Sequence, residues 1–396
     1  MSAPSPRQRA RVFVHVGSPK TGTTFLQNVL WSQRATAREQ GLLLPMDRFH
    51  DHFLATLDVR GLSRLPVHPD RAIGMWDRMV ARSVAWDGTV LISHELFAAA
   101  DLAQAERAMS SLLRDSGEVH VVLTARDLVR QLTAEWQEHV KHRSTKTLQQ
   151  FVADVRADVA RDSWFWKVQD FDHVLARWGS LLPPERVHVV TVPPAGTPAE
   201  LLWSRFASVL GLDADAFTTD LPRSNSSLGV EQAELLRRVN EALGDRLPIP
   251  GPYPLVVKNV LAHGILEQRR GTPLALTDDD ASFASARSAD IAERLAGRGF
   301  DVVGDLAELV PAARTGSGAA SYWTPSDEEL TADAVAVIAD LMAVLDKRSG
   351  GGKDFEELAR AARTRPVRFA LAQAARKHAL LGRAERAYRR ARRGRG

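Results

Sequence analysis

The chain reads as an α/β protein: a P-loop-like parallel sheet flanked by helices, with a helical extension at its C-terminal end. Three observations predict this. Short β-branched runs alternate with helical patterns of ten or more residues, the rhythm of a parallel sheet covered on both faces. A glycine-bearing loop follows the first of those runs and leads straight into a helical pattern. Beyond Pro198 the chain turns almost wholly helical, then breaks at a segment rich in Gly, Ala, Ser and Pro.

The elements follow in order. Arg11 to Val16 (RVFVHV) is a buried strand, and Phe25, Leu26, Val29 and Leu30 then recur at helical spacing. Thr89 to Ser93 is the second strand, ending at His94-Glu95. Glu118 to Ala125 is the third, ending at Arg126-Asp127, and Arg186 to Val192 is the fourth. Helices are expected over 198–210, 229–244, 255–270 and 279–297. The main domain spans 8–310, residues 311–325 form a linker, and 326–396 form the helical extension. Ser326 and Glu329 make a capping-box pattern at its start. Leu371 to Ala391 faintly resembles half of a tetratricopeptide repeat, a single unit with no second copy.

Of the 396 residues, 44% are apolar and 25% charged, a globular composition. There is no cysteine, which excludes a disulfide-stapled fold, a Cys-ligated metal and a thiol nucleophile. Met1 to Arg11 has no apolar core of a secretory signal, and no run reaches the roughly 18 apolar residues of a membrane span. The expectation is a cytoplasmic protein. The overall +4 charge divides unevenly: residues 353–396 hold 14 Lys and Arg against 4 Asp and Glu, so the body is mildly acidic and the tail strongly basic. The tail offers peripheral contact with a polyanion or an anionic surface. It is no ground for expecting nucleic-acid binding by the body.

In a parallel sheet ligands bind beyond the carboxyl ends of the strands, and the notable residues sit there. Gly17-Ser-Pro-Lys20-Thr21-Gly22-Thr23-Thr24 has the glycine spacing of a Walker A loop, but Thr23 stands where that motif has lysine. The lysine lies inside the loop, at position 20. A Walker lysine reaches the β and γ phosphates of a triphosphate; Lys20 instead suits a shorter anion near its bridging oxygen. Arg126, at the end of the third strand, and Arg130, one turn on, make a second anion site. Two anion sites on neighbouring strands suit a nucleotide phosphorylated at both ends.

Here the sequence resembles the PAPS-dependent sulfotransferase family over about residues 11–230. The family's 5′-phosphosulfate loop is similar to Pro19-Lys20-Thr21-Gly22-Thr23-Thr24, and its 3′-phosphate arginine to Arg126. The family serine eight residues on is Ala134, with Thr133 beside it, and the family proline two after the arginine is Leu128. The family's C-terminal glycine-rich loop has no clear counterpart; Asn225-Ser226-Ser227, or Lys258 with Arg269 and Arg270, stand where it would close the site.

The resemblance implies the sulfotransferase fold and transfer of a sulfuryl group from PAPS to a hydroxyl or amine, releasing PAP, with no metal. Lys20, Thr21, Gly22, Thr23, Thr24, Arg126, Arg130 and Thr133 would bind the donor. Lys20 also suits the charge on the leaving oxygen. His94 and Glu95 are the candidate bases; His94 is preferred because an imidazole titrates near neutral pH. A glycan, glycolipid or secondary metabolite would be the acceptor. Two rivals stand beside this: a magnesium-dependent P-loop kinase or NTPase, and a non-catalytic protein binding through its basic tail.

Other clusters read more plainly. Glu135, Glu138, His139 and His142 form a polar helix face, a less favoured alternative being acceptor contact or a metal site. His50 and His52 form a loop pair with no second half. Asp278 to Asp280 place negative charge at a helix N-terminus. Trp164-Phe165-Trp166 is a core cluster, with sugar stacking as the alternative.

Overall fold

The computed structural model describes residues 10–65, 67–221, 227–249, 251–311 and 321–348. Asn225 and Ser226, most of the expected linker, the repeat-like stretch from Leu371 and the basic tail lie outside the described residues. Two compact units divide the chain at Ser326. The second is represented by the single helix Asp327–Arg348. Among the described residues no helix is long and apolar enough to cross a membrane.

The first unit is built on a six-stranded sheet. Its strands are β1 (Arg11–His15), β2 (Leu42–Leu43), β3 (Thr89–Ser93), β4 (Glu118–Ala125), β5 (Val187–Thr191) and β6 (Asp301–Val303). They lie in the order β2-β3-β1-β4-β5-β6, every pair parallel. The four strands expected from β-branched runs are the four central ones. The edge strands β2 and β6 carry no such run: two residues in one, an exposed Asp followed by two half-buried Val in the other.

The described residues hold twelve α-helices in the first unit and one in the second. Between β1 and β3 come α1 (Thr23–Ser32), α2 (Arg34–Glu39), α3 (Phe49–Val59) and α4 (Met75–Val84). Next are α5 (Leu102–Asp115), α6 (Leu128–Lys141), α7 (Leu148–Ala157), α8 (Trp164–Gln169) and α9 (Phe171–Trp178). After β5 follow α10 (Ala199–Leu210), α11 (Val230–Leu243), α12 (Asp278–Ala296) and α13 (Asp327–Arg348). The expected helix over 255–270 is instead a π-helical stretch, Pro254–His263, followed by a short 3-10 turn, Leu266–Gln268.

Packing follows from strand alternation. Phe13, Leu91, Val122 and Val190 project to one face, where Leu26, Val29 and Leu30 of α1 and Trp203, Phe206 and Leu210 of α10 cover them. On the other side α5 and α9 pack against β4, and buried Trp178 donates its indole N–H to the Phe97 carbonyl at 2.9 Å. Because neighbouring β3, β1 and β4 are parallel, their carboxyl ends share one edge. That edge presents His94 and Glu95 after β3, the Gly17–Gly22 loop after β1, and Arg126 after β4.

Candidate functional site

The loop after β1 is bent by residues in left-handed backbone. Gly17 has φ +114°, Lys20 +63° and Gly22 +86°. At Gly17 a Cβ would lie 2.8 Å from the Glu95 carbonyl oxygen, so this glycine lets the loop and the β3 exit approach. At Gly22 a Cβ would meet the Leu202 side chain at 2.5 Å. Lys20 bears a side chain where glycine is favoured, a conformation that costs on the order of 1–2 kcal/mol.

Buried polar groups fix that bend. The Thr21 hydroxyl donates to the Ser18 carbonyl at 2.6 Å and lies 2.5 Å from the Thr124 hydroxyl. Thr124 donates to the Gly17 carbonyl at 3.2 Å. His15, wholly buried, sits between Ser93 (2.8 Å) and Thr124 (3.3 Å). Its burial, with His94 nearby, lowers its pKa to about 3, so it is a neutral strut between three strands. From the other side Gln131 and Gln169 both donate to the Pro19 carbonyl, at 2.9 and 3.2 Å. Gly22 ends the loop as the N-cap of α1 with no side-chain cap, so the first amides of α1 are left without side-chain cover.

The loop borders a cavity of about 1190 Å³, lined in part by Lys20, Thr23, Thr24, His94, Glu95 and Arg126. Its wall continues along α6 through Glu135, Glu138, His139 and His142, and closes with Trp164, Ser227 and Lys258. The structure thus brings Lys20, Gly22, Thr23, Thr24, His94, Glu95 and Arg126 together. Thr21 points into the strut below. Arg130 and Thr133 do not line the cavity. Arg130 pairs with Asp127 and donates to the carbonyls of Pro193 (3.0 Å) and Val192 (3.5 Å). Its fork is spent tying α6 to the exit of β5. The Thr133 hydroxyl donates to the Arg130 carbonyl at 3.1 Å, an ordinary in-helix bond.

Arg126 differs from Arg130. Its one hydrogen bond is to the Arg130 carbonyl at 3.0 Å, and its Nε is buried with no partner. Burial, with Arg130 beside it, lowers its pKa to about 10. A buried guanidinium without a carboxylate is costly unless an anion completes it.

At the β3 exit, His94 Nδ1 accepts the Leu96 backbone N–H at 3.2 Å. A neutral ring in that position carries its proton on Nε2. Burial, outweighing the nearby Glu95 charge and helped by His50 and Arg60, holds the His94 pKa below its usual value. His94 therefore offers the cavity a donor, not a base. Glu95 Oε2 is buried with no hydrogen-bond partner and lies 3.7 Å from His94 Nδ1, beyond bonding distance. Of the two residues at this exit, Glu95 has the unpartnered acceptor oxygen, while His94 Nδ1 is already occupied.

Residue types along α6 indicated a polar face, and two of its carboxyls prove to face Lys20. Glu135 is 2% exposed and accepts from Gln169 at 2.9 Å. Burial raises its pKa to about 7, against the opposing pull of Lys20. Glu138 is held by Lys20 at 2.5 Å, Lys258 at 2.6 Å and His142 at 3.0 Å. Burial would raise its pKa, but the His142 bond and the two lysines keep it well below the carboxylate range.

The remaining clusters have partners. His52 is buried; its Nδ1 accepts the Ser93 N–H at 3.0 Å and its Nε2 bonds the Pro45 carbonyl at 3.0 Å. Phe165 and Trp166 are core, whereas Trp164 is half-exposed on the cavity wall with the Arg60 guanidinium 5.6 Å from its ring centre. Asp278, Asp279 and Asp280 do occupy the first turn of α12, capped by Thr277. Among the described residues only Asp170, Asp172 and His173 converge closely enough for a metal, and Arg161, Arg294 and Arg298 already pair with the two carboxylates.

No family model matches the chain, and no match is found among curated proteins. Two solved structures are similar in shape. A sulfotransferase from Alicyclobacillus acidocaldarius shares 15% identity at TM-score 0.36, covering 56% of this chain and 87% of that one. The sulfotransferase domain from the curacin biosynthetic pathway shares 13% at TM-score 0.32, covering 55% and 80%.

Proposed function

We propose that the cavity binds a nucleotide carrying an anion at each end and that the protein is a PAPS-dependent sulfotransferase. One observation carries the reading: Lys20 and Arg126, at the ends of adjacent strands β1 and β4, line one cavity, and the buried Arg126 Nε has no partner. Such a donor fits these residues. The bent loop and the uncapped amides of α1 suit a 5′-phosphosulfate, and Arg126 suits a 3′-phosphate. When bound, PAPS supplies an activated sulfuryl group.

The chain's own residues divide the work by strand order. Arg126 anchors the nucleotide on the β4 side. Lys20 stabilises the negative charge that develops on the phosphate oxygen as its bond to sulfur breaks. On the β3 side Glu95 takes the proton from the acceptor hydroxyl as the acceptor oxygen bonds to sulfur. His94 donates its Nε2–H to orient that oxygen, and Phe53, Leu96 and Trp164 supply apolar wall around the acceptor. PAP and the sulfated product leave. The test is calorimetric titration with PAP beside ADP and ATP–Mg²⁺. PAP binding that disappears on changing Lys20 or Arg126 supports the reading. Magnesium-dependent ATP binding without PAP binding would hand the site to a kinase.

A further inference from the structure

A cavity built for a polyanion should not leave its key lysine paired with a carboxylate, yet Lys20 Nζ lies 2.5 Å from Glu138 Oε2. The other oxygen of that carboxylate, Oε1, is 2.6 Å from Lys258 Nζ. Two ammonium groups thus face the two oxygens of one carboxylate. They come from elements 238 positions apart in sequence: the loop after β1 and the π-helical stretch Pro254–His263. His142 Nε2, also 3.0 Å from Oε1 and 2.6 Å from Lys258, closes the cluster toward solvent.

A carboxylate bridging two cations presents the oxygens that one edge of a sulfate or phosphate group presents. We infer that Lys20 and Lys258 form a two-cation subsite for the 5′-terminal oxyanion of the nucleotide, which PAP keeps as its 5′-phosphate, and that Glu138 occupies it as a resident counter-anion until the nucleotide displaces it. This rests on the function proposed above and extends it to two residues. It also accounts for the width of the π-helical stretch. Ten residues, Pro254–His263, wind there with an extra residue per turn, a form found often at functional sites. Lys258 of this stretch faces Glu138 and His142 of the α6 end. His142, more than half-exposed, gives the displaced Glu138 side chain a partner at the mouth of the cavity.

A resident anion competes with its ligand, so removing its charge tightens ligand binding. An ordinary supporting salt bridge does the reverse, because its loss slackens the lysine. The experiment measures PAP dissociation by calorimetry on the full chain, for wild type, Glu138→Gln, Glu138→Asp and Glu138→Gln with Lys258→Met. The expected result is a 5- to 50-fold tightening for Glu138→Gln and a smaller one for Glu138→Asp, whose shorter arm cannot span both lysines. Adding Lys258→Met to Glu138→Gln should abolish that gain. Should Glu138→Gln unfold, Glu138→Asp alone decides by the sign of its shift. Unchanged or weaker PAP binding in these variants, with wild type binding PAP, overturns the subsite and leaves the function standing. No PAP binding by wild type or any variant overturns both.

Discussion

Two charged clusters sit on the same α/β body, and they are built on opposite rules. Behind the sheet, Asp170 and Asp172 at the start of α9 are almost completely buried. Arg161 reaches Asp170 at 2.8 Å, Arg294 bridges both carboxylates at 3.1 and 2.7 Å, and Arg298 grips Asp172 at 2.7 Å. Asp170 also caps α9 by accepting the His173 N–H. Every carboxylate there has a guanidinium. In the cavity, by contrast, Arg126 Nε and Glu95 Oε2 are buried with no partner, and Lys20 holds a strained backbone conformation. Buried polar groups are normally satisfied, and exceptions call for a reason. The first cluster is complete in itself and serves the fold; the second is completed only by something that enters.

This contrast can be broken by experiment, beginning with the largest effect. Lys20→Ala should lower PAP formation from PAPS, assayed with a panel of hydroxyl acceptors, by about 10²–10³-fold, the scale of losing one charge-stabilising donor. Its melting temperature should stay near wild type. Retained turnover would remove Lys20 from the chemistry. Asp170→Ala should do the opposite. It takes the most buried carboxylate from Arg161 and Arg294 and uncaps α9, a destabilisation of about 3 kcal/mol in chemical denaturation, with PAP affinity of the folded fraction unchanged. Arg126→Met should weaken PAP binding by about 30-fold, or about 2 kcal/mol at 1.4 kcal/mol per decade, and should lower stability far less than Asp170→Ala, because Arg126 makes no direct ion pair and Glu135 keeps Lys20 nearby. If Arg126→Met destabilises as Asp170→Ala does, the two clusters are alike and the comparison fails.

How much of this was legible before folding depended on the range of the interaction. β1, β3, β4 and β5 announced themselves because a strand buried on both faces must be apolar throughout. β2 and β6 lie at the edges and carry too few residues to make a pattern. The loop around Lys20 was legible because glycine spacing is local. Arg130 looked equivalent to Arg126, since both follow β4 on one helical face. Only the fold shows Asp127 and two carbonyls beyond β5 consuming the first. Residue type alone favours His94 over Glu95 by its solution titration, and only the fold shows the Leu96 backbone bond that places the neutral ring's proton on Nε2. The partnership of Lys20 with Glu138 spans 118 positions and was beyond any local pattern. So was the π-helical winding that brings Lys258 to it.

The smallest predicted effect probes the cavity's cost to the fold. Glu135 is buried beside Glu138, with Lys20 and Arg126 as its cations and Gln169 as its bond donor, and its pKa rises from the ordinary 4.5 to about 7. A carboxyl with a raised folded pKa contributes most below pH 4.5, where both states are protonated. That contribution is lost as pH climbs to 7, because the unfolded chain ionises first. Above pH 7 the folded protein carries the full penalty, about 1–3 kcal/mol at 1.36 kcal/mol per pKa unit once relaxation is discounted. Glu135→Gln keeps the shape and an acceptor oxygen for Gln169 while removing the charge. It should melt with wild type at pH 4.5 and higher than wild type at pH 8, the gap opening between those values and then staying flat. An equal shift at both pH values would mean that packing alone is at work. A carboxyl that weakens the fold at neutral pH is the signature the cavity should show and the Asp170 cluster should lack.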